Sequence, residues 1–243
     1  MSKLQYIFAG IGITLCTLYV LWAMLFVRSS RGDLTCAHFD VVVTDSTESS
    51  FVNRAAIKSY IARCGEDPTG RKMSEVNTDT IERLLGDYAM IRDAQCYKTN
   101  GDRVKLVIRQ RKPKFRFVGS TNYYVDTERK IMPVSTSYSA YVPVVTGLND
   151  HKLAQTVIYD FVDYVSDDEF WNAQIEQIVV NADTTITIVP RVGNHTILLG
   201  KPERYEQKLD KMMQLYQKGF AIMGWPDYKT IDLSIKNQII CKK

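Results

Sequence analysis

The residues best suited to catalysis or metal binding are few and lie far apart in this sequence. Its three histidines, His38, His151 and His195, show no metal-ligand spacing such as H-E-x-x-H. The adjacent acids Asp167, Asp168 and Glu169 suggest the carboxylate pair of a glycan-cleaving enzyme, but acids at the end of a predicted helix are more typical of a solvated turn. No G-x-S-x-G, S-x-x-K or Walker pattern is present. We therefore expect no catalytic residue, no metal site and no cofactor.

A basic segment is the strongest charge feature of the sequence. Seven of the fourteen residues from Arg103 to Arg116 are cationic: Arg103, Lys105, Arg109, Arg111, Lys112, Lys114 and Arg116. Such a segment suits anionic lipid headgroups or an acidic partner. The alternation with Val104, Leu106 and Ile108 equally describes the solvated face of an amphipathic strand, and this second interpretation is favoured.

At the end of the chain, the groups suited to binding are backbone N–H and C=O groups rather than side chains. Ile231, Leu233 and Ile235 alternate with polar residues and predict a strand, which is followed by a turn at Lys236-Asn237 and a final strand to Cys241. Few residues follow to cover the outer edge of that strand. An uncovered edge presents a row of N–H and C=O groups that can pair with another extended chain.

The preceding residues form two predicted folding units. In the first, apolar residues at i, i+3, i+4 and i+7 predict two helices, from Ile57 to Cys64 and from Ile81 to Tyr88. They lie between a strand at Phe39–Val43 and two strands at Ala94–Lys98 and Arg103–Gln110, an order that buries both helices on one face of a three-stranded sheet. The second unit reads as a mixed sheet of short strands with two helices.

The first residues of the chain predict a membrane segment. Leu4 to Val27 is a run of 24 uncharged residues, long enough for a transmembrane helix. A cleaved signal peptide is the alternative, but its apolar region is shorter and ends in small residues, whereas Arg28 and Arg31 follow this run. The sequence thus predicts a cytoplasmic tail over 1–3, a span over 4–27 and a tether over 28–38.

Composition and cysteine content narrow the class of protein further. The chain has 243 residues, of which 45% are hydrophobic, which predicts a globular protein with a packed core. Its net charge of +4 is too small for a dedicated nucleic-acid binder. The four cysteines beyond the predicted span permit two disulfides or act as buried thiols: Cys36, Cys64, Cys96 and Cys241.

Several motifs in order resemble the bacterial FtsQ/DivIB cell-division family. The stretch VNTDTIERLLGDYAMIRDAQCYKTNGDRVKLVIRQRKPKFRF is similar to the end of that family's POTRA domain. Tyr123–Asp126, Lys130–Pro133 and Val142–Gly147 are similar to its "YxxD … hydrophobic-P … LPxLxG" series, and Tyr228–Ile235 to its "YVDLRY" strand. Ser234 and Ile235 depart from that last motif, where the family has Arg and an aromatic residue.

The resemblance implies an α+β fold and a function. It implies a transmembrane helix, a POTRA domain (β-α-α-β-β) over 39–112, and a mixed β domain over 113–243 that ends in an edge strand. The family's members are non-catalytic divisome scaffolds of the bacterial inner membrane, with the C-terminal domain in the periplasm at the division septum. They bind FtsB/FtsL-like partners through the last strand, and other divisome components through the POTRA domain. Carried over by position, the contact residues are Ile235, Lys236, Asn237, Gln238, Ile239, Ile240 and Cys241.

Two alternative functions remain open at this point. One is a POTRA-bearing envelope chaperone or translocation component, which would require further POTRA repeats or a barrel pattern. The other is a peptidoglycan hydrolase that uses Asp168 and Glu169.

Overall fold

The protein forms two compact units. The computed structural model describes residues 12–25, 34–45, 51–99, 101–223 and 228–243. The first unit comprises Met1–Glu48 and Val52–Gln110, and the second comprises Ser49–Phe51 and Arg111–Lys243. Each unit is built on a sheet of its own.

The prediction of a transmembrane helix over residues 4–27 is wrong. Residues 12–25 form the first helix, α1. None of the helices among the described residues is long and apolar enough to cross a membrane. The predicted cytoplasmic tail, both ends of the predicted span and the start of the predicted tether fall in 1–11 and 26–33, outside the described residues.

The first unit confirms the predicted order of strand, two helices and two strands. Its elements are β1 (His38–Val43), α2 (Arg54–Arg63), α3 (Thr78–Gly86), β2 (Ile91–Lys98) and β3 (Arg103–Gln110). The sheet order is β1-β3-β2, with β3 parallel to β1 and antiparallel to β2. Each helix begins at an asparagine, because the Asn53 and Asn77 side chains accept hydrogen bonds from the backbone N–H groups of Ala55 and Thr80.

Alternation along β3 separates the core of the first unit from its open sheet face. Val104, Leu106 and Ile108 are fully buried, and so are the apolar side chains of α2 and α3: Ile57, Ile61, Ile81 and Leu85. Successive side chains of a strand point to opposite faces, so Arg103 and Lys105 lie on the face opposite this core.

The second unit is a nine-stranded mixed sheet with helices. Its strands are β4 (Pro113–Val118), β5 (Tyr123–Asp126), β6 (Ile131–Pro133), β7 (Val144–Gly147), β8 (Ile175–Val180), β9 (Ile186–Pro190), β10 (Thr196–Gly200), β11 (Thr230–Asp232) and β12 (Ile240–Lys242). The sheet order is β12-β11-β10-β9-β8-β7-β4-β5-β6. The pairs β4/β7, β7/β8 and β10/β11 are parallel, and the other five are antiparallel.

The helices of the second unit form two main segments, as predicted, with an additional short helix. The first segment is α4 (His151–Leu153), a π-helical stretch (Ala154–Ile158) and α5 (Tyr159–Asp167), and the short helix α6 (Glu169–Gln174) follows. The second segment is α7 (Tyr205–Gln214), a π-helical stretch (Leu215–Gly219) and α8 (Phe220–Met223). Phe161, Val165, Leu209 and Met212 belong to the same buried cluster as the apolar side chains of the sheet.

A buried ion pair lies at the start of the second unit. Asp126 and Arg111 are 1% and 8% exposed, and Arg111 Nη1 donates to Asp126 Oδ2 at 2.8 Å. Asp126 Oδ1 accepts hydrogen bonds from the backbone N–H groups of Glu128 (2.8 Å) and Lys130 (2.7 Å). The aspartate of the Tyr123–Asp126 motif therefore holds a β-turn and neutralises a buried cation.

The glycine of the Val142–Gly147 motif also has a structural reason. Gly147 has φ +101°, and a Cβ built there would lie 2.0 Å from the carbonyl oxygen of Val180. Since no other residue type fits this approach of β7 to β8, the position requires glycine.

Candidate functional site

The outer edge of β12 is the principal candidate for a binding site. β11 pairs in parallel with β10 and antiparallel with β12, and β12 is the last strand of the sheet. Among the described residues, no strand pairs with the outer side of β12. The last two pairings of the sheet are short. β10 and β11 pair through three residues each, beginning with Thr196↔Thr230, and β11 and β12 also pair through three residues each, beginning with Thr230↔Lys242.

The structure divides the seven residues carried over from the resemblance into two groups. Ile240 and Cys241 lie in β12 itself, and Ile239 packs against the core just before it. The other four, Ile235, Lys236, Asn237 and Gln238, lie in the segment that connects β11 to β12. Of the seven residues, therefore, only Ile240 and Cys241 belong to the strand whose backbone forms the edge of the sheet.

The predicted extension of the penultimate strand to Ile235 is wrong. β11 ends at Asp232, because Asp232 Oδ1 accepts hydrogen bonds from both the backbone N (2.9 Å) and the Oγ (2.6 Å) of Ser234. Such an aspartate-centred turn bends the chain away from the sheet. Only one bond continues the ladder, from Leu233 N to Leu198 O at 2.8 Å.

The connecting segment lies very close to the end of β10. Gly200 has φ +75°, and a Cβ built on it would lie 2.6 Å from Ser234 Cβ. The absence of a side chain at Gly200 therefore allows the segment after β11 to approach closely at Ser234.

A basic cleft adjoins this segment. It has a volume of about 380 Å³, and its charged lining residues are Lys201, Glu203, Arg204, Lys208, Lys211 and Lys236. Lys208 Nζ donates to the carbonyl oxygens of Leu199 (2.9 Å) and Lys201 (2.7 Å), and burial, followed by the charge of Arg204, lowers its pKa. With five cations and one acid, the cleft attracts anionic groups to the segment from Leu233 to Asn237, which precedes β12.

This cleft is the feature that the sequence analysis missed. Lys208 and Lys211 lie three residues apart on α7, and Lys201 and Arg204 lie in the segment just before that helix. The apolar residues Leu209 and Met212 of α7 predicted the helix, whereas the four cations share no single element whose period could show them as one group.

The residues that suggested catalysis have structural roles instead. Asp168 caps α6, since its Oδ1 accepts a hydrogen bond from Trp171 N at 2.9 Å. Asp167 lies 3.8 Å from Lys114 Nζ, in an exposed ion pair. This arrangement gives no support to a carboxylate pair of a hydrolase.

The three histidines are not brought together. His195 is buried, and its Nε2 lies 2.7 Å from Tyr216 Oη. Burial lowers the pKa of His195 and raises that of Tyr216 to about 12. His151 contacts the ring of Tyr123 with its edge, and His38 begins β1. In the part of the chain that the structure describes, no group of three His, Cys, Asp or Glu side chains could hold a metal ion.

The basic segment from Arg103 to Arg116 is divided between the two units. Arg103, Lys105 and Arg109 belong to β3 of the first unit, whereas Arg111 and the residues after it belong to the second unit. There, Arg111 is buried beside Asp126, and Lys114 Nζ lies 2.6 Å from Asp163 Oδ1. The sequence run therefore combines an open strand face with structural ion pairs.

The cysteines are free thiols in this structure. Cys36 and Cys96 are buried, Cys241 is half-buried, and Cys64 is exposed. Burial raises the pKa of Cys96 to about 12 and also raises the pKa of Cys241. Of the two alternatives that the sequence left open, the structure has the thiols rather than the disulfides.

Comparison with known families identifies both units. The family described as "FtsQ/DivIB, C-terminal related" matches residues 112–242, and the POTRA-like domain family matches residues 34–109. No curated protein matches the chain. The two matches define a protein with a POTRA-like domain followed by an FtsQ-type β domain.

The chain belongs to the FtsQ/DivIB family, as its motifs predicted. This family is of a non-enzymatic division-scaffold type, and membership indicates a role in cell division at the division site.

Proposed function

We propose that this protein is a non-catalytic scaffold of the cell-division machinery and that it binds its partners by strand addition at β12. The observation that carries the proposal is the place of β12 at the end of the nine-stranded sheet. An added strand gains affinity from backbone hydrogen bonds and specificity from alternate side chains.

The proposed contact surface comprises β12 and the segment before it. Ile240 and Cys241 supply the backbone edge, and Ile235, which is 44% exposed, supplies an apolar side chain beside it. The basic cleft lined by Lys236 and Lys211 favours a partner with acidic residues next to its added strand. By family resemblance we propose FtsB/FtsL-like proteins as the partners, and further divisome components for the POTRA-like unit.

Single proline substitutions test this proposal. In an antiparallel pair, successive residues alternate between bonding to the neighbouring strand and facing outward, so either Ile240 or Cys241 directs its N–H away from the sheet. Proline removes that donor. Both Ile240→Pro and Cys241→Pro are made in the full chain, and their melting temperatures are compared with the wild type. The variant that keeps the wild-type melting temperature has lost the outward N–H. We expect that variant to bind the purified FtsB/FtsL-like pair at least tenfold more weakly than the wild type does.

A matched control lies at the opposite edge of the same sheet. Ile131 in β6 occupies the other terminal strand, and Ile131→Pro should leave affinity for the pair unchanged. Wild-type affinity in both β12 variants would refute strand addition at β12. A fluorescent fusion should also concentrate at mid-cell, and a uniform signal would contradict the scaffold role.

A further inference from the structure

The first unit has an uncovered edge of its own, at β1. Since the sheet order is β1-β3-β2, β1 is a terminal strand, and none of the described residues forms a strand on its outer side. His38 N donates to Asp102 O at 3.2 Å, and Thr44 N donates to Ile108 O at 3.1 Å. In a parallel ladder, alternate residues bond to the neighbouring strand. The N–H and C=O groups of the intervening residues Phe39, Val41 and Val43 therefore point outward.

A groove runs along this edge. Its volume is about 710 Å³, and we call it the β1 groove. Arg54, Ala55 and Lys58 of α2 line one side of it, and Arg103 and Lys105 of β3 line the open sheet face. The backbone edge of β1 therefore lies between two cationic flanks.

The charge of the β1 groove is unbalanced. Asp40 is the acidic residue that lines it, and Asp40 Oδ2 is already 3.8 Å from Arg103 Nη1. Among the described residues, no carboxylate lies within ion-pair distance of Arg54, Lys58 or Lys105. Counted over the residues that the structure describes, the groove thus has a surplus of positive charge beside the outward backbone groups of β1.

These two properties together select the class of ligand. A strand added beside β1 would place its side chains alternately toward α2 and toward the open sheet face. Acidic side chains on both sides of that strand would face Arg54 and Lys58 on one flank, and Arg103 and Lys105 on the other. An anionic bilayer would satisfy the cations but would leave the backbone groups of Phe39, Val41 and Val43 without partners.

We propose that the β1 groove is a second partner-binding site, which takes an acidic polypeptide segment in extended conformation as a fourth strand of the sheet. This inference rests on the role proposed above for the POTRA-like unit, and it names the surface and the class of partner for that role. It lies in a different unit from β12, so a failure at either edge is measured independently of the other.

Binding of a defined peptide to the full-length protein tests the proposal. The probe is a short fluorescent peptide of Glu, Thr and Val with glutamates on both faces of the extended chain, and the control peptide has lysine in place of glutamate. We expect fluorescence anisotropy to show binding of the acidic peptide and not of the lysine peptide. Raising the ionic strength from about 0.01 to about 0.15 M should weaken binding, because salt screens exposed charges.

Two variants with the same change of charge distinguish an effect of the β1 groove from an effect of the protein's net charge. Lys58→Glu places an anion in the groove, whereas Arg63→Glu places one on the last turn of the same helix, away from the groove. We expect Lys58→Glu to weaken binding of the acidic peptide at least tenfold and Arg63→Glu to change it less than threefold. Equal effects of the two variants would overturn the proposal.

Hydrogen exchange on the wild-type protein distinguishes strand addition from simple charge attraction. Saturation with the acidic peptide should slow amide exchange at Phe39, Val41 and Val43 at least tenfold and leave Asp40 and Val42 much less affected. Unchanged exchange at the three outward amides would overturn the proposal. So would stronger binding to phosphatidylcholine–phosphatidylglycerol vesicles than to the peptide, because that result would assign the groove to a membrane surface.

Discussion

Gly200→Ala tests whether the connecting segment beside the β12 edge is positioned by close contact with β10. At φ +75° an alanine is strained, and its Cβ would also lie 2.6 Å from Ser234 Cβ and 3.1 Å from Ser234 Cα. Gly65 is a matched control, since its φ is +76° and a Cβ there would have nothing within 4 Å. The two substitutions share the backbone strain and differ in the contact.

The expected magnitudes follow from these two terms. A left-handed conformation costs an L-residue about 1 kcal/mol, which is the whole expected effect of Gly65→Ala. Overpacking adds about 1–3 kcal/mol, so we expect Gly200→Ala to lower the free energy of unfolding by about 3 kcal/mol. This is a large share of the about 5–15 kcal/mol that stabilises a typical domain.

Urea unfolding of the full chain measures the difference. With Trp22 of the first unit replaced by phenylalanine in every variant, tryptophan fluorescence follows the second unit, where Trp171 is 2% exposed. Far-ultraviolet circular dichroism follows both units. Adding Ser234→Gly to Gly200→Ala removes the nearest atom and should recover about 1 kcal/mol, whereas adding Ser234→Ala should recover almost nothing. Equal losses for Gly200→Ala and Gly65→Ala would refute the claim that close contact positions the segment.

Two further predictions concern the stability of the second unit. Asp126→Ala removes the buried partner of Arg111 and leaves it the half-buried carboxylate of Glu128, 3.5 Å from Arg111 Nη1, so we expect a cost of about 3 kcal/mol in urea unfolding, at the lower end for a broken buried pair. A double-mutant cycle with Arg111→Met that gives no coupling would contradict this account. Because burial lowers the pKa of His195 in the folded protein, the unfolded chain binds the proton more tightly, so stability is complete above about pH 6.5 and falls as pH drops below it. His195→Gln should flatten the dependence of melting temperature on pH over that range, and an unchanged slope would assign it to other groups.

Periodic apolar patterns predicted the helices and longer strands well. Ile57 and Ile61 on α2 and Val104, Leu106 and Ile108 on β3 are all buried, because each set lies on one side of an element that is long enough to show its period. Glycine, proline and asparagine near the ends of these elements marked their limits.

The last hairpin was harder to predict because a local bond overrode the alternation. Ile231, Leu233 and Ile235 have the period of a strand, but the bonds from Ser234 to Asp232 end it after three residues. The pairing of β10 with β11 was also beyond sequence reasoning, since it joins residues separated by about thirty positions through a helix. The motif resemblance located the candidate edge, but local periodicity could not give its register.

The predicted transmembrane helix shows a different limit. Hydropathy over residues 4–27 measures how apolar the residues are, whereas spanning a membrane also requires one helix of sufficient length. Among the described residues, no helix is long and apolar enough to span a membrane, so the prediction from apolar composition was wrong.

The short pairing of the last two strands has a thermodynamic consequence. β11 and β12 are each joined to their neighbour through three residue pairs, so opening the C-terminal ribbon breaks few bonds and requires much less free energy than unfolding the second unit. A polypeptide that pairs with β12 would stabilise only the closed form of the ribbon and would therefore suppress this local opening. Occupancy of the edge would then be reported by the protease resistance of the last residues of the chain, even when the rest of the protein is unchanged.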